Sequence, residues 1–296
     1  MILSKSDYKE FSKRLQKYFM RKKFSVIFKD DYSLEVHTNT PTRETISLSN
    51  LAKICFKAEK EKWSELIEEY FEILANSKKM SKILKEREED FDFYKEFIGV
   101  RFYHRDYFSN GIEESFLFIP LLEDVCLALI LDFPDHIKNL DPKIFKNWNI
   151  SEKKLFTLGI TNIKSKYKFE IKKEKILNLT IYVVSTNHFF GNILLLELDN
   201  YENLVGKYGS LIAIPNRHET FIYPIENKEV EKAIECLIRI NKNRYKEPGS
   251  VSRNLYWYNS NKFSLQTITY DAKNVFVKLT DDFRKLIRDI KTDSYI

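Results

Sequence analysis

The sequence predicts an α+β protein: a mixed, mainly antiparallel sheet with packed helices and a helix-rich N-terminal part. Three observations carry this expectation. Strand-like runs come in pairs around short polar turns. Helical periodicities lie between them without the strict alternation of a doubly wound parallel sheet. One run, Val125 to Leu131, is apolar without a break and suits a central strand buried on both faces.

Ser6 to Arg21 sets Tyr8, Phe11, Leu15 and Phe19 at helical spacing, and "FSVIFKDDYSLEVHT" then alternates like a hairpin turning at Asp30 and Asp31. "ISLSNLAKICFK" and "KWSELIEEYFEIL" read as helices, the second with Leu66, Tyr70, Phe71 and Leu74 on one face. Lys78 to Glu96 is dense in charge and suits an exposed helix and a boundary. The expected division is a helix-rich subdomain with a β-hairpin over 1–98 and an α+β core over 99–296, unless the two run on as one domain.

From Gly99, "VRFYHRDYF" and "SFLFIP" read as short strands. Two helices follow the central strand, one from Pro142 with Asp141 as its N-cap and one from Glu152 capped by Ser151. Strands are expected at Lys168 to Ile171 and Leu179 to Ser185. "NILLLELDNYENLVGKYG" reads as a helix, because Leu194, Leu198, Tyr201 and Val205 recur on one face and Gly206 or Gly209 offers a stop. A hairpin over Leu211 to Ile225, a helix from Lys228 to Asn243, a closing hairpin turning at Asp271 to Asn274 and a terminal helix "DDFRKLIRDI" complete the chain.

Of 296 residues, 43% are hydrophobic and 15% aromatic, with only seven glycines and seven prolines, so a compact chain without low-complexity linkers is expected. No apolar run is long enough to cross a bilayer, and the charged, helical N-terminus is unlike a secretory leader, which points to the cytoplasm and no membrane partner. Cys55, Cys126 and Cys236 are dispersed among apolar neighbours and read as buried thiols. The net charge of +6 comes with lysine spread along the whole chain. Its denser clusters, Lys13 to Lys23 and Lys164 to Lys175 with Tyr167 and Phe169 interleaved, could meet phosphates. A solvated strand and loop is the plainer reading.

Gly-rich phosphate loops, HExxH, CxxC and GxSxG are all absent from the sequence. No cofactor and no metal-ligand set is implied, since His37, His104, His136, His188 and His218 stand singly. Three features remain. Asp106 to Ile137 carries seven acids and no lysine or arginine, with Glu123 and Asp124 before the buried strand and Asp132 at its end. Strand-end carboxylates can serve as metal ligands or general acids, or they can cap turns and pair with Arg101 or Arg105. The hairpin tip carries Arg217, a stiffly mounted donor for a carboxylate or phosphate, beside His218 and Glu219. A charged, solvated turn is the bland alternative. In "SVSRNLYWY", Ser250 and Ser252 can bond nearby backbone, and alternation buries two of Tyr256, Trp257 and Tyr258; an exposed Trp257 would mark an interface.

"ISLSNLAKICFK", "ELIEEYFEIL", "VRFYHRDYF", "PLLEDVCLALILD", "NISEKKLFTLGITNI", "LIAIPNRHETFIYPI" and "PGSVSRNLYWY" run in an order that resembles the YtpQ-like family of uncharacterised bacterial proteins, from about Ile46 to Leu279. In that family the hairpin reads proline, any residue, arginine, aspartate. Pro215 and Arg217 match, and His218 stands in the acid's place. The family's serine segment is matched by Ser250, Ser252, Leu255 and Tyr256, with Arg253 where a proline is usual. The resemblance implies a bacterial, cytoplasmic α+β protein and brings no activity, cofactor or substrate.

The preferred expectation is a non-enzymatic binding protein that engages another protein or a small anionic ligand through Arg217, His218, Ser250, Ser252, Tyr256 and Trp257. The runner-up is a metal-assisted hydrolase of phosphate esters or amides, with Glu123, Asp124 and Asp132 as its working carboxylates and Arg217 holding the anion. It requires these groups to converge on one cleft. Nucleic-acid binding through Lys164 to Lys175 is third.

Overall fold

The protein is described here from a computed structural model covering residues 5–30, 33–37, 43–109, 113–134, 136–271 and 274–292. It has an α+β fold. The chain divides into two compact units, residues 1–87 with 134–136, and residues 88–133 with 137–296.

In the first unit α1 (Lys5–Arg21) is followed by an antiparallel sheet of β1 (Ser25–Asp30), β2 (Ser33–His37) and β3 (Arg43–Ser47), then by α2 (Ser49–Lys57) and α3 (Trp63–Glu86). Phe11, Leu15 and Phe19 of α1 are buried with Leu51 and Cys55 of α2 and with Trp63, Ile67 and Phe71 of α3. Two expectations need adjustment. Ile46 and Ser47 belong to β3, so "ISLSNLAKICFK" is a strand end and a helix. On α3 the fully buried stripe is Trp63, Ile67 and Phe71, and Leu66, Tyr70 and Leu74 flank it half-buried. Asp31, at the tip of the first hairpin, lies outside the described residues.

The second unit begins with a single turn, α4 (Phe91–Tyr94), and a small sheet. Its strands are β4 (Ile98–His104), β5 (Phe118–Pro120), β6 (Val125–Asp132) and β7 (Ile137–Asn139). β6 pairs antiparallel with β4 along one side and with β5 and then β7 along the other, and all eight of its residues are buried. The unbroken apolar run is a central strand, as its composition predicts. α5 (Pro142–Phe145) and α6 (Glu152–Lys166) start on the expected caps: the amide of Lys143 donates to Asp141 Oδ1 at 2.9 Å and that of Lys154 to Ser151 Oγ at 3.4 Å. α6 lies close against β4 because Gly159 faces Gly99, where a Cβ would stand only 3.0 Å from the Gly99 backbone.

A seven-stranded antiparallel sheet follows, built from β8 (Glu170–Ile176), β9 (Leu179–Ser185), β10 (Ser210–Ala213), β11 (Glu219–Pro224), β12 (Leu255–Asn259), β13 (Lys262–Tyr270) and β14 (Val275–Lys278) in the order β14-β13-β12-β10-β11-β9-β8. Two of its connections are two-residue turns with positive φ at both positions, Leu177–Asn178 and Ser260–Asn261, the mirror-image turn that suits the twist of a hairpin. β8 is an edge strand with Lys172, Lys173 and Lys175 exposed, a common guard against edge-to-edge pairing. α7 (Val230–Arg244) and α8 (Asp281–Thr292) bury Val230, Ile234, Leu237, Phe283 and Ile287 against Leu211, Phe221 and Leu255.

The segment from Gly191 to Leu204 departs from the expected α-helix. It forms 3-10 turns at Gly191–Asn200 and Glu202–Leu204, broken where Glu197 leaves helical geometry at φ −147°. Ile193, Leu194, Leu195 and Leu198 are all buried, so the segment is apolar on several sides and no single stripe has to face a core. Gly206 then bridges to Gly209 in a turn; neither glycine terminates an α-helix. Cys55, Cys126 and Cys236 are buried free thiols.

Candidate functional site

The hairpin tip between β10 and β11 is a half-buried turn with neighbours on every side. Asn216 is buried, and its side-chain oxygen accepts the amides of His218 (2.9 Å) and Glu219 (3.0 Å), closing an Asx turn. The remaining backbone is tied to three other segments. The amide of Arg217 donates to Gly249 O (3.0 Å), the amide of Gly191 to Arg217 O (3.1 Å) and the amide of Thr186 to His218 O (3.0 Å). Gly249 has φ +81° and its missing Cβ would meet the Arg217 stem at 3.5 Å, so this position serves both the turn and the arginine. Glu219 takes Asn216 Nδ2 (3.1 Å) and Arg244 Nε (3.7 Å), while the His218 ring lies against Phe189 at 4.9 Å. His218 and Glu219 therefore have separate partners.

Arg217 does not project from this tip as a free donor. It folds back over β4, where Nε donates to Phe102 O at 3.2 Å and the guanidinium sits 4.4 Å from the Tyr103 ring centroid. A second guanidinium, Arg101, lies 4.7 Å from the same ring and also bonds the Tyr103 hydroxyl, which in turn donates to Asn139 Oδ1 at 2.8 Å. Arg101 Nε is enclosed and lacks a hydrogen-bond partner. Among the described residues neither guanidinium forms an ion pair with a carboxylate. Burial, then the charge of Arg101, brings Arg217 down to about 10, so it remains cationic at neutral pH. Tyr107, 47% exposed, packs at 4.7 Å from the Tyr103 ring and borders the pair. Two positive groups therefore lie against one ring with no carboxylate counter-ion among the described residues.

The acids are elsewhere. Asp124, in the turn before β6, accepts from Ser252 Oγ (2.7 Å), Asn254 Nδ2 (2.8 Å) and the Tyr256 hydroxyl. His104 Nδ1 accepts the Asp106 amide at 3.1 Å, which leaves its other nitrogen to carry the proton facing Asp124 at 3.9 Å. The phenol of Tyr256 is pushed well above its usual range by burial and then by the Asp124 charge. Ser252 is fully buried and also accepts the Asn254 amide (3.0 Å), so its hydroxyl is committed within the cluster. The group clamps the segment before β12 onto the start of β6.

Asp132 is buried at the other end of β6, bonded to Lys166 Nζ (2.5 Å) and Tyr167 OH (2.7 Å). A strand rises ~3.3 Å per residue, so Asp124 and Asp132 are roughly 25 Å apart and cannot share one ion or one substrate bond. Glu123 is exposed beside Asp124. The expected convergence of Glu123, Asp124 and Asp132 is thus corrected: the strand that carries them holds them apart. Nor do Arg101 and Arg105 pair with these side chains, since Asp124 meets Arg105 only through a backbone bond.

Trp257 is likewise corrected as a contact residue. Alternation on β12 sends Tyr256 and Tyr258 to one face and Trp257 to the other, where it stacks on Phe283 of α8 (5.1 Å) and donates to Tyr208 O at 2.9 Å. It fills the sheet-to-helix layer. Ser250 bridges Asn216 through the backbone. Of the residues singled out in the sequence, the structure brings Arg217 to the tip with Ser250 behind it, and gathers Ser252 and Tyr256 around Asp124. Arg101, Tyr103, Tyr107 and Asn139 were missed. An arginine on the otherwise apolar "IGVRFY" strand was the available signal.

Fold and site thus define an α+β protein with two arginines packed on one tyrosine ring and no carboxylate partner for either among the described residues. Comparison with known protein families, curated proteins and solved structures finds no match. No helix among the described residues is long and apolar enough to cross a membrane.

Proposed function

We propose that this is a non-enzymatic binding protein for a small anionic ligand, held by Arg101 and Arg217, which both pack on the Tyr103 ring. The observation behind the reading is the lack, among the described residues, of a carboxylate partner for two half-buried guanidiniums. Desolvating a cation is costly unless it is paired, and an incoming anion supplies the missing pairing. A protein partner could present the same anion as a side chain, and the tip residues His218 and Ser250 would then border the contact. Tyr256 and Trp257 contribute framework.

A nucleic-acid reading has less support, because Lys164, Lys166 and Lys172 of the basic segment are paired with Glu197, Asp132 and Glu170. Kinship with the YtpQ-like family, a bacterial source and a cytoplasmic location belong to the same proposal. In their support, the two segments carrying that resemblance are neighbours in space, with the amides of Val251 and Ser252 donating to Pro215 O and Ile214 O at 2.9 Å each.

Thermal melts with inorganic phosphate test the reading. Saturation at 100 times Kd would stabilise the fold by about 2.7 kcal/mol. The stabilisation should be present in the wild type and absent in folded Arg101→Met and Arg217→Met variants. Equal responses in all three would remove the site.

A further inference from the structure

The geometry points to a mononucleotide as the ligand: a phosphate monoester that sits on Arg101 and Arg217 and lays its planar ring against Tyr107. This rests on the anion reading above and narrows it. Two guanidiniums match the double charge of a phosphate monoester better than the single charge of a carboxylate. Tyr107 supplies the second half of the recognition. Its ring is backed by Tyr103 (4.7 Å), Phe108 (5.3 Å) and Phe116 (6.0 Å), so it is held rigidly while 47% of the residue remains exposed. An exposed, pre-positioned aromatic face beside a cation pair is how ring-bearing phosphates are commonly held, with stacking on one side and charge-assisted hydrogen bonds on the other.

The surroundings limit the ligand to a small one. The stretch from Asp106 to Ile137 contains no lysine or arginine, and Asp106 itself is exposed. A polyanion running past Tyr107 would meet the exposed carboxylate of Asp106 beside it, whereas a single phosphate placed on the arginine pair avoids it.

Titration calorimetry on the full chain separates the possibilities, using AMP, phenyl phosphate, inorganic phosphate, adenosine and a short single-stranded oligonucleotide. AMP should bind roughly tenfold or more tighter than inorganic phosphate, about 1.4 kcal/mol or more. That advantage should vanish in Tyr107→Ala and persist in Tyr107→Phe. Arg217→Met should weaken AMP and phosphate together. Phenyl phosphate matching AMP would show that any ring-bearing monoester is accepted and overturn the nucleotide assignment. AMP and phosphate binding equally, in wild type and Tyr107→Ala alike, would overturn the role of the ring and leave the anion reading standing. No binding of either would overturn both, and an oligonucleotide that binds more tightly than AMP would replace the mononucleotide with a nucleic-acid strand.

Discussion

Asp124 and Arg217 show how the same residue type can carry opposite meanings. The carboxylate at the head of β6 has the position of a general acid, yet three donors saturate it, and its role is to hold Ser252, Asn254 and Tyr256. Asp124→Ala orphans those donors together, and an unsatisfied buried donor costs about 1–3 kcal/mol. We expect a loss of about 3–5 kcal/mol in urea denaturation, with Asp124→Asn retaining part of it. Tyr256 links the clamp to pH. Its folded pKa lies well above the ordinary tyrosine value, so above pH ~10 the unfolded chain loses this proton first. Stability from this group is complete below that pH and declines as pH rises towards the folded value. Tyr256→Phe should flatten the alkaline fall in melting temperature between pH 9 and 11, after an initial loss of about 1–2 kcal/mol at neutral pH. A slope unchanged by the substitution would place the alkaline sensitivity in the other buried tyrosines. Arg217, by contrast, has bonds to backbone and to a ring and no carboxylate partner among the described residues, which is why the proposed ligand is placed there and not at Asp124.

At the scale of elements, most helices and hairpins were legible because their cues are local. Asp141 and Ser151 cap the helices they were expected to cap, and Val230, Ile234, Leu237 and Ile238 form the buried stripe of α7. The segment from Gly191 to Leu204 was misread because burial on several sides leaves no single face for a period to reveal. Trp257 was open for a related reason: period-two alternation says that it opposes Tyr256 and not which side a helix will cover, and α8 covers it. The seating of α6 on β4 depends on Gly159 facing Gly99. Gly159→Leu should force the helix off the strand and cost about 2–3 kcal/mol, the upper part of the range for overpacking. A variant that melts like the wild type would mean that the layer yields without strain.

At the scale of the whole molecule, the chain holds two separately cored units. The first gathers Phe11, Leu15, Trp63 and Phe71 from within residues 1–87. A fragment of residues 1–87 should therefore show helical circular dichroism and a cooperative melt of its own. A featureless, sloping trace would show that its core needs the rest of the chain. The second unit contains both the arginine pair and the Asp124 clamp, built from strands of two sheets whose contributing residues lie more than a hundred positions apart in sequence.

The sequence by itself determined the α+β class, the buried strand from Val125 to Leu131, the hairpins and most helices, since alternation, capping and apolar periodicity act over a few residues. Tertiary structure alone decided which side chains meet. Arg217 reaches Phe102 across 115 positions and Ser252 reaches Asp124 across 128. No local rule sets such pairings, because they follow from how sheets stack and which face a helix covers. The same charged turn and the same strand-end acids could have been solvated, catalytic or structural until the fold supplied their neighbours.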